Sequence, residues 1–143
     1  MANEKISMLI KKTALLAEKD TNILLAPYEL TSTQFRTLMF LYHKQQKHIR
    51  QTDLENAFGM TNPTVTGIIN NLEKKGLVKR VENPDDRRSK LLWLTDTALE
   101  MMPLLISLTE TIEKQMTVAL TDDECAQLAT ILKKIIHSKE TKQ

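Results

Sequence analysis

One stretch restricts the fold more than any other: residues 51–76, QTDLENAFGMTNPTVTGIINNLEKKG. It reads as two short helices separated by a tight break. The first is expected from about Gln51 to Phe58, with Leu54, Ala57 and Phe58 as its apolar side. Thr52 and Glu55 have the spacing of a capping box. Gly59 stands where the chain leaves the helix through a left-handed backbone, which glycine adopts at little cost. A few residues on, Thr61 or Asn62 can cap a second helix, and Pro63 falls in its first turn, where its missing N–H costs nothing. That helix runs to Lys75, and Gly76 ends it. Two helices joined by a glycine-containing turn of about three to four residues form a helix-turn-helix.

The next segment, VKRVENPDDRRSKLLWLT at 78–95, has strand-like residues on both sides of a polar tip, the pattern of a hairpin. The flanks are helical. Ile6, Leu9, Ile10, Thr13, Leu16 and Ala17 share a face in a helix from about Asn3 to Leu25; Met8 and Leu15 lie off that face, which implies burial on two sides. Pro27 stops it or bends its exit. Thr31 and Gln34 form a second capping-box pair, opening a helix striped by Phe35, Leu38, Met39 and Tyr42. Polar residues 43–47 end it. After the hairpin, Thr95 starts a helix that reaches about Ala119 and carries Pro103, where a kink is expected. Thr121 and Glu124 open the last helix, striped by Cys125, Leu128, Leu132 and Ile135. The expected fold is therefore mostly α (α+β), in the order α-α-α-α-β-β-α-α: one domain over 1–143, with a winged helix-turn-helix lobe at 31–96. Segments 3–25 and 97–138 carry wide apolar arcs that one such lobe cannot cover. A second copy of the chain is the expected cover.

The second helix of the helix-turn-helix has two unlike faces. Val65, Ile68, Ile69 and Leu72 point one way; Asn62, Pro63, Thr64, Thr66, Gly67, Asn70 and Lys74 lie on or beside the other. Short hydrogen-bonding side chains near a helix N-terminus, followed by a cation, suit base edges and phosphates in a DNA groove. A plain solvated face is the alternative, although helix formation does not call for Pro, Thr, Gly and Asn together. Arg87, Arg88 and Lys90 cluster at the hairpin tip and second strand, beside Asp85 and Asp86. An arginine on a thin hairpin can enter the minor groove, and a neighbouring carboxylate can orient it. A charge-balanced polar turn is the competing reading. The helix-turn-helix immediately upstream favours the first.

The run from LTSTQFRTLMFL at 30–41 through the helix-turn-helix and hairpin resembles the MarR family of bacterial transcription regulators, most specifically in LEKKGLVKR followed by NPDDRRSKLLWLT. LTDDECAQLATIL at 120–132 is similar to the family's last helix. The resemblance implies a homodimer with interlocked terminal helices whose two winged lobes read a palindromic site. It implies an Asp-x-Arg pair at the wing, here Asp86 and Arg88. It further implies a repressor that releases DNA when a small anionic or phenolic effector binds. Two positions depart from the family pattern: Ala98 replaces a common glycine, and Gly67 replaces a larger, often basic, residue.

Composition is consistent with this and narrows the alternatives. The net charge is only +2, but residues 1–49 carry +3, residues 50–93 +2 and residues 94–143 −3. A basic front and an acidic back suit one anion-facing surface. A single cysteine, Cys125, leaves no intrachain disulfide and no cysteine-cluster metal site. It lies on an apolar stripe, which favours a packing role over a redox one. His43, His48 and His137 have no ligand spacing. Trp93 suits hairpin packing or a ligand pocket. No cofactor, metal or catalytic constellation is expected, and the chain reads as a cytoplasmic protein. The rival of another class is a dimeric winged-helix module that binds protein rather than DNA.

Overall fold

The structure, a computed structural model, describes residues 3–44 and 48–140. It has six α-helices and a two-stranded sheet in the expected order: α1 (Ile6–Leu25), α2 (Ser32–His43), α3 (Gln51–Phe58), α4 (Asn62–Lys74), β1 (Val78–Glu82), β2 (Lys90–Leu94), α5 (Asp96–Thr117) and α6 (Asp122–Glu140). A short 3-10 turn, Ala26–Tyr28, follows α1 and contains Pro27. The expected polar end of α2 lies partly outside the described residues. No helix of the described residues is long and apolar enough to cross a membrane.

The chain forms two compact units, Met1–Leu108 and Thr109–Gln143. The core of the first is aliphatic: Leu25, Leu38, Leu54, Ile69, Leu72, Leu91, Met102 and Leu105 are at most 1% exposed. Burying each such side chain contributes about 1.5–3 kcal/mol. Phe58 adds an edge-on contact with Phe40 at 5.6 Å between ring centroids, and Arg36 stacks over the same ring at 4.6 Å. These contacts seat α3 on α2.

Caps decide where the helices begin. Thr31 and Gln34 make the reciprocal capping box, with Oγ1 accepting from the Gln34 N–H at 3.1 Å and Oε1 accepting from the Thr31 N–H at 3.2 Å. Thr121 and Glu124 do the same for α6. The expected Thr52–Glu55 pair does not form. Arg50 precedes the helix instead, and the Asp53 carboxylate accepts its N–H at 2.8 Å. The cap falls two residues earlier because Arg50 is extended and, with Ile49, pairs with β2. Ala98 is fully buried, and its N–H is capped by the Thr95 hydroxyl at 3.2 Å. Helix α5 continues through Pro103.

The terminal helices are thinly covered. In α1 only Thr21 and Leu25 are buried, while Ile6, Met8, Leu15, Leu16 and Ile23 are each more than half exposed. Helix α6 has no buried residue, and Leu128, Ile131, Ile135 and Ile136 are all exposed. Cys125 is half-buried on α6.

Candidate nucleic-acid interface

Helix α4 is held from several directions, and each tie leaves its outer face free. Val65, Ile69 and Leu72 are buried beneath it. Gly59 at φ +62° and Gly76 at φ +72° turn the chain at either side of the α4 segment. A side chain in that backbone region is strained. At the C-terminal end, Lys75 Nζ donates to Gln34 Oε1 at 3.0 Å and to the Glu29 carbonyl. That ammonium ties α4 to the capping box of α2. Glu29 is the one non-glycine among the described residues with positive φ, at 56°.

The outer face carries the residues expected of it. Asn62, Pro63, Thr64, Gly67, Asn70 and Lys74 are exposed, and Thr66 is half-buried. The Thr61 and Thr64 hydroxyls share a hydrogen bond of 3.0 Å, and Asn62 Nδ2 donates to Glu55 at 3.1 Å. Nothing lies within 4 Å of where a Cβ on Gly67 would sit, so the helix surface there is open.

The wing pairs β1 with β2 antiparallel, Val78 opposite Leu94 and Glu82 opposite Lys90. Its tip is organised by Asn83, which is buried. Asn83 Oδ1 accepts the Asp85 N–H at 3.0 Å, and Nδ2 donates to Ser89 Oγ at 3.1 Å. Arg87 and Arg88 are both exposed at that tip. Asp86 Oδ1 accepts the Arg88 backbone N–H at 3.0 Å. The carboxylate therefore shapes the turn that presents Arg88, and no ion pair between the two side chains occurs among the described residues. Lys90 Nζ lies 3.8 Å from Glu82, and His48 Nδ1 lies 4.0 Å from Asp85.

Six residues join this surface that the sequence reading did not assign to it: Arg50, Gln51, Thr52, Arg80, Ser89 and Leu92. They line an open concavity of about 460 Å³ together with Asn62, Asp86, Arg88 and Lys90. Arg50 comes there because Ile49 and Arg50 add a fragment of strand to the wing. The Leu92 N–H donates to the Ile49 carbonyl at 2.8 Å, and Arg50 bridges Leu91. The only signal was one apolar residue, Ile49, between polar neighbours. Arg80 is ion-paired with Glu73, and its Nη2 donates to Asn70 Oδ1 at 3.1 Å. Gln51 Nε2 donates to Thr66 Oγ1 at 2.7 Å. Arg50, Arg80, Arg88 and Lys90 thus line one hollow beside the start of α4, and among the described residues lining it Asp86 is the one acid. Asp53 lies 3.5 Å from Arg50, Glu73 pairs with Arg80 and Glu82 lies 3.8 Å from Lys90, so the lining has a cationic excess that acidic neighbours partly offset, and a cationic excess in a concavity draws anions. Trp93 is half exposed on the wing's other side, with Lys79 Nζ at 5.7 Å from its ring centre.

The MarR family profile matches residues 30–90 of the chain. The transcriptional regulator PapX of Escherichia coli is 26% identical over 119 residues, spanning 83% of this chain and 73% of PapX. Among solved structures, S. aureus MepR bound to DNA superposes with a TM-score of 0.86 at 27% identity, covering 95% of this chain and 99% of that one. A MarR mutant from E. coli in complex with operator DNA gives 0.83 at 27% identity, covering 91% and 92%.

Proposed function

We propose that this chain, whose residues 30–90 match the MarR family profile, is a transcription regulator of that family and a sequence-specific repressor that binds a palindromic operator as a homodimer. The observation that carries this is the convergence of Arg50, Arg80, Arg88 and Lys90 on one hollow beside the N-terminus of α4. Phosphates dominate protein–DNA affinity, and cations grouped at a helix start suit a phosphate backbone running between α4 and the wing. The exposed face of α4 then meets base edges in the major groove. Arg87 and Arg88 reach the adjacent minor groove from the wing.

The dimer is supported by the exposed apolar residues of α1, Ile6, Met8, Leu15, Leu16 and Ile23, and of α6, Leu128, Ile131, Ile135 and Ile136. A two-fold axis through these helices sets two copies of α4 roughly 34 Å apart, one turn of duplex DNA. Release by a small anionic or phenolic effector rests on the family resemblance. The DNA reading is tested by titrating duplex DNA at several salt concentrations. With four cations per lobe at phosphates, log affinity falls against log salt with a slope of about −3.6 for each lobe. Affinity that ignores salt, or no binding at low salt, overturns it in favour of a protein-binding winged helix.

A further inference from the structure

Asn70 and Thr66 stand about one turn apart on the outer face of α4, and each is held through its acceptor atom. Arg80 Nη2 donates to Asn70 Oδ1. A guanidinium has donors only, so the amide must turn its oxygen toward β1 and its NH2 outward. The ion pair with Glu73 keeps Arg80 in place. On the other side, Gln51 Nε2 donates both to Thr66 Oγ1 and, at 3.4 Å, to the Asn62 carbonyl. A carbonyl only accepts, so the Gln51 amide cannot be reversed. Thr13, Thr21, Thr37, Thr117 and Thr130, also in helices, spend their hydrogen on the carbonyl four residues back. Thr66 receives Gln51 at one lone pair of its oxygen instead, which leaves its hydroxyl hydrogen and a second lone pair unengaged.

We propose that the Arg80 tie makes Asn70 present a donor to the bases, selecting the keto group of a base pair over the amino group. The inference rests on α4 being the helix that faces the bases. In the major groove every pair shows one keto oxygen, guanine O6 or thymine O4, and one amino group, adenine N6 or cytosine N4. The outward NH2 of Asn70 bonds the first and meets the second donor to donor, so it sets which strand carries the keto base; Thr66, with a hydrogen and a lone pair left, can meet either. The bidentate contact of an asparagine with adenine needs the amide oxygen and nitrogen side by side, and Arg80 turns that oxygen toward β1. Arg80 acts as a positioning residue: it chooses the base without touching it.

The test starts from sequences selected out of random duplexes by the wild-type protein and by Asn70→Ala. The position whose preference disappears in the variant is the one Asn70 reads. At that pair single groups are then deleted, with a non-operator duplex carrying the same analogue as reference. Removing the keto oxygen (2-aminopurine for guanine, 5-methyl-2-pyrimidinone for thymine) should weaken wild-type binding about tenfold. Removing the amino group (purine for adenine, 2-pyrimidinone for cytosine) should change it less than about twofold. In Arg80→Met, if circular dichroism shows it folded, the discrimination should relax; if it is unfolded, the wild-type deletions decide alone. The reverse pattern, or indifference to both deletions, overturns the proposal while leaving DNA binding intact. No enrichment of any sequence would remove the DNA reading itself, and this inference with it.

Discussion

Arg88 shows how the site divides its labour at the scale of single residues. The Asp86 carboxylate holds the backbone of Arg88 and not its guanidinium, so the charge stays available to a phosphate. Arg88→Ala should weaken operator and non-operator DNA alike and lower the salt slope by about one unit per lobe, as read by titration at several ionic strengths. Asp86→Ala should lose part of the same affinity by releasing the turn. Unchanged affinity in both would reject a wing role. Gly67 makes a prediction with opposite signs. A Cβ there meets nothing, and alanine is the better helix former by about 0.5–1 kcal/mol. Gly67→Ala should therefore raise stability in urea unfolding at fixed protein concentration, yet reduce DNA affinity where the helix surface approaches the groove. At this scale the sequence was only half legible. Its face pattern picked out Asn62 to Lys74 and the wing cations. Arg50, Gln51 and Arg80 were hidden, because their place depends on strand pairing and on hydrogen bonds between elements far apart in the chain.

Helices and turns were far more legible than their connections. Glycine after a periodic apolar run marked the ends of α3 and α4, because only glycine enters the left-handed region cheaply. Capping-box spacing placed the starts of α2 and α6 correctly and misled at Thr52. Spacing alone cannot tell whether the chain before it is extended, and here the wing draws Ile49 and Arg50 into strand. The Lys75 tether could not be read at all, since it crosses 46 positions to the Glu29 carbonyl. That tether links the junction of α1 and α2 to the end of α4. Lys75→Ala should cost about 1 kcal/mol in stability, the net worth of such hydrogen bonds. It should also loosen α4, seen as faster amide exchange over residues 72–76. Leu72→Ala, at a fully buried site, should cost about 2–5 kcal/mol and serves as the packing reference.

For the whole molecule, the proposed arrangement is a symmetric pair of lobes on one duplex. The apolar arcs of the terminal segments were visible in the sequence as stripes too wide for one lobe, and Ile6, Leu16 and Ile23 of α1 and Ile131 and Ile136 of α6 are each more than half exposed. Exposed apolar patches larger than a few hundred Å² mark interaction sites. Replacing Leu16 and Ile23 with lysine should therefore dissociate the protein and lower operator affinity, because each lobe would then bind alone. The direct measurement is native mass spectrometry of the protein with a short duplex carrying its selected sequence. A symmetric dimer gives two 16.4 kDa chains on each duplex, and a free protein that is a dimer at low micromolar concentration. A folded monomer bound one to a duplex, or no complex at low salt, would contradict it.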